Sequence, residues 1–396
     1  MPFPPSDGGA QVMHFTAKGL IANGINVKIL AINPTRNLVR LDLIPTDYIA
    51  NTRFECVTVD TKIKPLKIFI NIFRTESYFI ERFISLNLDA KLKHLLQSES
   101  FDIIQLEHLY LCKYIKTIRS YSNAKIVLRP QNVEYIIWER YIKNVSNILQ
   151  KVFLKIATNR LKKYEQKINP YLDGIIALTN VDAELFQSFS ETTPIITVPM
   201  GYDYENIKEY DFNKQFNHIP VVYHLGSMDW MPNIEAVNWF IKYVIPYLEK
   251  NKFSGKIIIA GRKMPSWVFK CKSNILEIID EVNNPLEFQK DKQIMIVPLL
   301  SGSGIRAKII EGLALGKTII STSIGAQGID YVNGQNILIA DTPAEFADII
   351  IECVNSKEKC MAICKNARDL SIQKYHYQNT ARKMIGFYQK ILDSNE

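Results

Sequence analysis

Short apolar runs alternate along this chain with longer segments whose hydrophobic positions recur at helical spacing, the pattern of buried parallel strands joined by crossover helices. In the first half the runs fall at 26–32, 56–59, 103–106, 125–128, 174–178 and 195–198, and helical spacing at 12–23, 77–97, 111–119, 133–168 and 180–189. In the second half the runs fall at 221–226, 256–261, 275–279, 293–298, 318–322 and 336–339, and helical spacing at 233–250, 343–355 and 378–392. The polar stretch 203–218 holds no strand pattern and reads as a linker. The expected fold class is therefore α/β, with two Rossmann-like domains facing a cleft, 1–200 and 220–375, an intervening linker at 201–219, and a helix within 376–396 packing back across both.

One element is missing from that scheme. A glycine-containing loop, a helix and the run 26–32 make up the second half of a βαβ unit, and no apolar run stands ahead of Gly8. A start placed downstream of the natural one accounts for this; a domain built without its first strand is the alternative.

The densest motif is Val297 to Lys317, which reads as strand, loop, helix. Gly302 and Gly304 allow close backbone approach to a ligand, and Gly316 stands where a helix-ending glycine belongs. Arg306 and Lys308 sit at the helix start, where the dipole disfavours cations and attracts anions. Two cations there point to an anion, a phosphate by preference, that joins them; the alternative is a solvated basic turn.

Composition narrows the class only modestly. With 396 residues, 47% hydrophobic and 22% charged, the chain has a globular balance, and its net charge of +8 fits an anionic small molecule, a membrane surface or nucleic acid equally. The six cysteines show no zinc spacing and read as reduced thiols, and no apolar run reaches the ~18 residues of a membrane span. A cytoplasmic protein is expected, at the inner face of the cell membrane if it touches lipid.

Five stretches in order resemble the GT-B glycosyltransferases, specifically glycosyltransferase family 4: Pro5 to Gly9, Arg129 to Glu134, Gly226 to Asn233, Ala260 to Arg262, and Gly302 to Gly316 followed by Thr322 to Gly328. The resemblance implies a metal-independent, cofactor-free retaining transfer of a sugar from a nucleotide-sugar, with the donor on the C-terminal domain and the acceptor on the N-terminal one. It implies that Glu311 holds the ribose hydroxyls, a task a carboxylate performs by accepting from both. It places Ser303 where the family's partner glutamate stands, and Met228, Trp230 and Asn233 where many members have cations. Arg306 and Lys308 are the expected substitutes for that charge. Gly226, Arg262, Gly302, Ser303, Gly304 and Ile305 complete the donor set; Asp7, Gly8, Gly9, Gln131 and Asn132 form the acceptor and phosphate loops. His108, at the end of the 103–106 strand, is the expected polar group facing the crevice, since Gln131 does not titrate.

The acceptor expected is a glycan or lipid-linked glycan in cell-surface polysaccharide or glycoconjugate synthesis, with no nucleic-acid partner. Between Trp138 and Lys167 eight Lys/Arg face two acids among apolar residues, and Lys62 to Arg74 is again basic and aromatic. Such helices offer peripheral contact with anionic lipid; a solvated helix face is the alternative. Two other functions stay open: a catalytically silent subunit of a glycan-assembly complex, and a nucleotide-sugar epimerase on the same fold.

Overall fold

The computed structural model describes residues 1–143, 145–207, 220–271, 273–302 and 304–394. Ser303 and most of the expected linker, 208–219, lie outside the described residues. The chain divides into two units: Met1–Gly201 with Ser303–Ile305 and Tyr377–Glu396, and Tyr202–Gly302 with Arg306–His376.

The first unit holds two separate parallel sheets. β1 (Leu30–Pro34) pairs with β2 (Glu55–Val59), and β3 (Ile103–Leu106), β4 (Lys125–Leu128), β5 (Gly174–Ala177) and β6 (Ile195–Thr197) form a four-stranded sheet in that order. Ile126, Val127, Leu128, Ile175, Ile176 and Ala177 are completely buried, which is why β4 and β5 read as unbroken apolar runs: both faces are covered. Leu109, Ile118, Leu161 and Phe186 cover one face; Leu20, Ala381 and Met384 cover the other. The C-terminal helix Tyr377–Asp393 packs on the first helix, Gly8–Ala22. A Cβ at Gly19 would lie 2.6 Å from the Tyr377 carbonyl oxygen, so only glycine allows that approach.

In the second unit a six-stranded parallel sheet runs in the order β12-β11-β10-β7-β8-β9. Its strands are β7 (Val221–Leu225), β8 (Lys256–Ala260), β9 (Leu276–Ile279), β10 (Ile294–Val297), β11 (Thr318–Ser321) and β12 (Leu338–Ile339). β7 and β10 are adjacent with Val222 opposite Ile294, so the chain reverses direction across the sheet at this pair. Ligands bind at such switch points, outside the carboxyl ends of the strands.

These sheets bear out the α/β class. Helix boundaries differ where a polar residue caps a new helix inside a continuous apolar period. The 77–97 period divides into Tyr78–Glu81 and Leu86–Ser98, the latter capped by the Ser85 hydroxyl accepting from the Leu88 N–H at 3.3 Å. The 133–168 period divides into Glu134–Lys143 and Ile148–Ile168, with Asn147 capping the second. The 233–250 helix contains a wide turn over Phe240–Val244 just ahead of Pro246, which has no N–H to continue the ladder. Among the described residues no helix is long and apolar enough to cross a membrane.

Candidate active site

Arg306, Lys308 and Glu311 follow the mouth of β10 in the second unit. Beyond Val297 the chain turns through Gly302 at φ +116 and Gly304 at φ +73, and Ile305 leads to the helix Ala307–Ala314. Gly316 ends that helix at φ +58, as its position in the motif suggested. A Cβ at Gly302 would lie 2.8 Å from Nη2 of Arg306, so glycine is what lets the guanidinium fold back under the loop. Arg306 occupies the N-cap position and is 9% exposed.

One turn on, Lys308 Nζ donates to Asn233 Oδ1 at 3.0 Å, and Asn233 Nδ2 donates to the Ser227 carbonyl at 2.7 Å. Gly226 makes room for this pair: a Cβ there would lie 2.8 Å from Lys308 Nζ and 3.1 Å from the Asn233 amide. Burial, and secondarily the Arg306 charge, lower Lys308 to about 7. The alternative role of Lys308, pairing along the helix with Glu311, is not the one it takes. Glu311 instead accepts from Gln289 Nε2 at 3.3 Å, and burial raises its carboxyl to about 7. Gln289 is fixed in turn, accepting from the Tyr223 hydroxyl at 2.9 Å. Arg262 extends from the end of β8, with Nε donating to Ser227 Oγ at 3.0 Å and lying 3.7 Å from Asp229.

His224, which the sequence reading passed over, lies on β7 beside this cluster. Its Nδ1 donates to the Ile296 carbonyl at 3.1 Å, and burial with the nearby Lys308 charge holds it neutral, at about 3. Nε2 is then a buried acceptor with no partner among the described residues. A polar residue within the apolar run 221–226 was the available signal. Gln289 had none, since only the fold brings it to Glu311. Two desolvated cations at a helix start, with a glutamate one turn beyond, bring together groups that can meet an anion and accept from hydroxyl donors.

The first unit carries its own polar cluster at the carboxyl ends of β3 and β4. Glu107 accepts from Gln131 Nε2 at 3.2 Å and Gln105 Nε2 at 2.5 Å, and lies 3.8 Å from Arg129 Nη1. Burial raises the Glu107 carboxyl, opposed by Arg129. Arg129, 1% exposed, also donates to Thr16 Oγ1 at 2.6 Å. Asn132 follows in the loop before Glu134–Lys143, whose first N–H groups are taken by the buried Glu165 carboxylate at 3.0 and 3.2 Å. His108 is stacked on Tyr110 with ring centroids 4.8 Å apart, and burial lowers it to about 3. Asp7 caps the first helix, accepting from the Ala10 N–H at 2.9 Å, with Gly8 and Gly9 in its first turn. A Cβ at Gly9 would make an ordinary 3.5 Å contact, so nothing within this unit demands glycine there.

Residues 219–356 match the family described as glycosyl transferases group 1. A protein from the cps region of Klebsiella pneumoniae, described as uncharacterized and 44.6 kDa, is 20% identical over 271 residues, covering 66% of this chain and 68% of its own. Among solved structures, sucrose-phosphate synthase of Thermosynechococcus elongatus superimposes with a TM-score of 0.70 at 14% identity, covering 98% of this chain and 94% of its own. The HepE protein of Anabaena, in complex with UDP and glucose, gives a TM-score of 0.62 at 12% identity and covers 96% of each chain. The chain thus has the fold of the GT-B glycosyltransferases, and its residues 219–356 are similar to the glycosyl transferases group 1 family.

Proposed function

We propose that this chain is a retaining, metal-independent glycosyltransferase of family 4, moving a hexosyl or related residue from a nucleotide-sugar to a glycan or lipid-linked glycan. The paired desolvated cations Arg306 and Lys308 at the β10 mouth carry this reading. The diphosphate sits against them, and Glu311, held by Gln289, accepts from the ribose hydroxyls. As the bond from C1 to the diphosphate oxygen breaks, the negative charge gathering on that oxygen is met by cations already in place. The acceptor hydroxyl attacks C1 from the same face, and its proton passes to the departing diphosphate, so no protein nucleophile takes part. His108 and His224 are both held neutral near pH 7 by burial.

The setting we favour is cell-surface polysaccharide synthesis at the cytoplasmic face of the membrane. Leu149, Ile148 and Phe73 are 83%, 76% and 79% exposed beside basic residues, and Arg160 donates to the Asn71 carbonyl at 2.6 Å, bringing the two basic helices together. The relative from a cps region points the same way.

The decisive experiment is turnover of a panel of UDP- and GDP-sugars by the purified chain. Release of nucleoside diphosphate that Glu311→Ala abolishes supports the reading. Nucleotide binding with no turnover of any donor, with or without acceptor extract, assigns the chain as a silent subunit, and donor interconversion without transfer assigns an epimerase.

A further inference from the structure

A cavity of about 410 Å³ in the first unit is lined by residues of the helices Pro65–Ile72 and Tyr78–Glu81 and of the turns that follow them. Three cations line it, Lys67, Arg74 and Arg82, with two acids, and both acids are already engaged. Glu81 accepts from Asn71 Nδ2 at 2.8 Å and pairs with Arg74 at 3.2 Å, and Glu76 accepts from Lys113. Lys67 and Arg82 have no ion-pair partner among the described residues, and Arg82 Nε is buried without a hydrogen-bond acceptor.

Rings hold Arg82 in this place. Phe79 stacks on Trp138 with centroids 3.9 Å apart, Phe83 stacks on Tyr110 at 3.7 Å, and Tyr110 stacks on His108, so the short helix is clamped to the segments that leave β3 and β4. The Tyr114 hydroxyl donates to the Phe83 carbonyl at 3.1 Å and fixes the turn. The guanidinium sits 4.8 Å over the Phe83 ring, which attracts the charge but offers its N–H groups no lone pair. Burial, and then the charge of Arg36 in the turn after β1, lower Arg82 from its ordinary value; Glu134 attracts it without bonding to it. A guanidinium does not lose its proton in a folded protein, so a half-buried one facing a second cation carries a cost that a bound anion relieves.

We propose that Arg82, Arg36 and Lys67 form an anion subsite, and that the acceptor carries a phosphate ester seated there. That this ester belongs to the acceptor rests on the transferase reading; the subsite stands by itself. Three cations exceed what one carboxylate neutralises, whereas a phosphate ester brings up to two charges and three acceptor oxygens. An alkyl chain on that phosphate has an apolar path out, over Ile70 and Ile84 in the cavity and the exposed Leu86 beyond.

Two probes distinguish the sources of such an ester: glucose 1-phosphate for a soluble sugar phosphate, and octyl phosphate below its micelle concentration for a lipid phosphate. Octyl glucoside is the uncharged control. Isothermal titration compares the parent chain with Arg82→Gln, Arg36→Gln and Lys308→Met. Octyl phosphate should bind the parent and Lys308→Met alike, and each arginine variant about tenfold more weakly, with octyl glucoside indifferent to all three. Arginine-dependent binding of octyl phosphate alone assigns a lipid phosphate; equal binding of glucose 1-phosphate assigns a soluble one, and both support the subsite. Binding of neither probe, or binding that Lys308→Met removes and the arginine variants keep, overturns it. Arg82→Gln should hold or raise Tm. If it unfolds instead, Arg36→Gln, at an exposed position, decides alone, and unchanged phosphate binding there overturns the proposal. No turnover enters these readings, so a chain that transfers no sugar yet binds phosphate through its arginines loses the transferase reading and keeps the subsite.

Discussion

Replacing Lys308 with methionine should affect stability and ligand affinity in opposite directions. Methionine keeps the stem's packing and is a good helix former, so the substitution removes mainly the charge and its donation to Asn233. Lys308 falls from an ordinary 10.5 to about 7 because it is desolvated beside Arg306. That carries a cost of order 2 to 4 kcal/mol in the folded domain, after allowing for partial exposure. Since the folded value lies below the unfolded one, the cost is fully present below pH 7 and fades as pH rises toward the unfolded value near ~10.4. Lys308→Met should therefore unfold at equal or higher urea concentration than the parent at pH 6.5, with the difference vanishing at alkaline pH. A diphosphate reverses the balance: two unit charges ~4 Å apart attract by about 4 kcal/mol at an effective dielectric of 20, of which ~2–3 kcal/mol should survive as lost affinity. Isothermal titration with UDP and GDP at pH 6.5 should show the preferred nucleotide binding about 30- to 150-fold more weakly. The gap should narrow by pH 9, as the parent lysine loses its proton. A variant that binds nucleotide normally but unfolds more than 2 kcal/mol too easily would make Lys308 a structural lysine and refute the reasoning.

Three further outcomes follow from the geometry. Gly226→Ala should lower nucleotide affinity with little loss of Tm, because the new Cβ displaces the flexible end of Lys308, whereas Gly261→Ala should be severely destabilising, since its Cβ would lie 1.7 Å from the Gly226 carbonyl oxygen. Burial raises Glu165 to about 8 and Glu134 to about 7, above their unfolded values. The stability they contribute is present in acid and lost as pH rises through 7 to 8; Glu165→Gln should flatten part of that decline in urea titrations from pH 6 to 9, leaving the share due to Glu134. Leu149→Glu, at an 83% exposed position, should leave Tm unchanged and reduce sedimentation with anionic liposomes at low salt, and equal sedimentation would remove this helix from any membrane contact.

The strands were legible because full burial on both faces writes them as continuous apolar runs; 126–128 and 294–297 are the clearest cases. Breaks inside helices were not, since Ser85 and Asn147 interrupt a hydrophobic period that continues past them. The helix Lys357–Tyr375 escaped for a different reason: between Ile363 and Tyr375 its buried face holds only Cys364, Ala367 and Ser371, small residues that leave little hydrophobic signal. Of the donor set, the glycines and the Arg306, Lys308 and Glu311 triplet were readable because they lie within one strand-loop-helix segment. The groups that hold Lys308 and Glu311, Asn233 and Gln289, come from separate crossovers and meet them only through the sheet order.

The most direct test of the central claim is the anomeric configuration of the first product. Proton NMR of a donor turned over by the chain, recorded before mutarotation, should show the transferred or released sugar with the donor's own anomeric coupling constant. Appearance of the opposite anomer first, or a donor that binds and is never turned over, would contradict a retaining transferase.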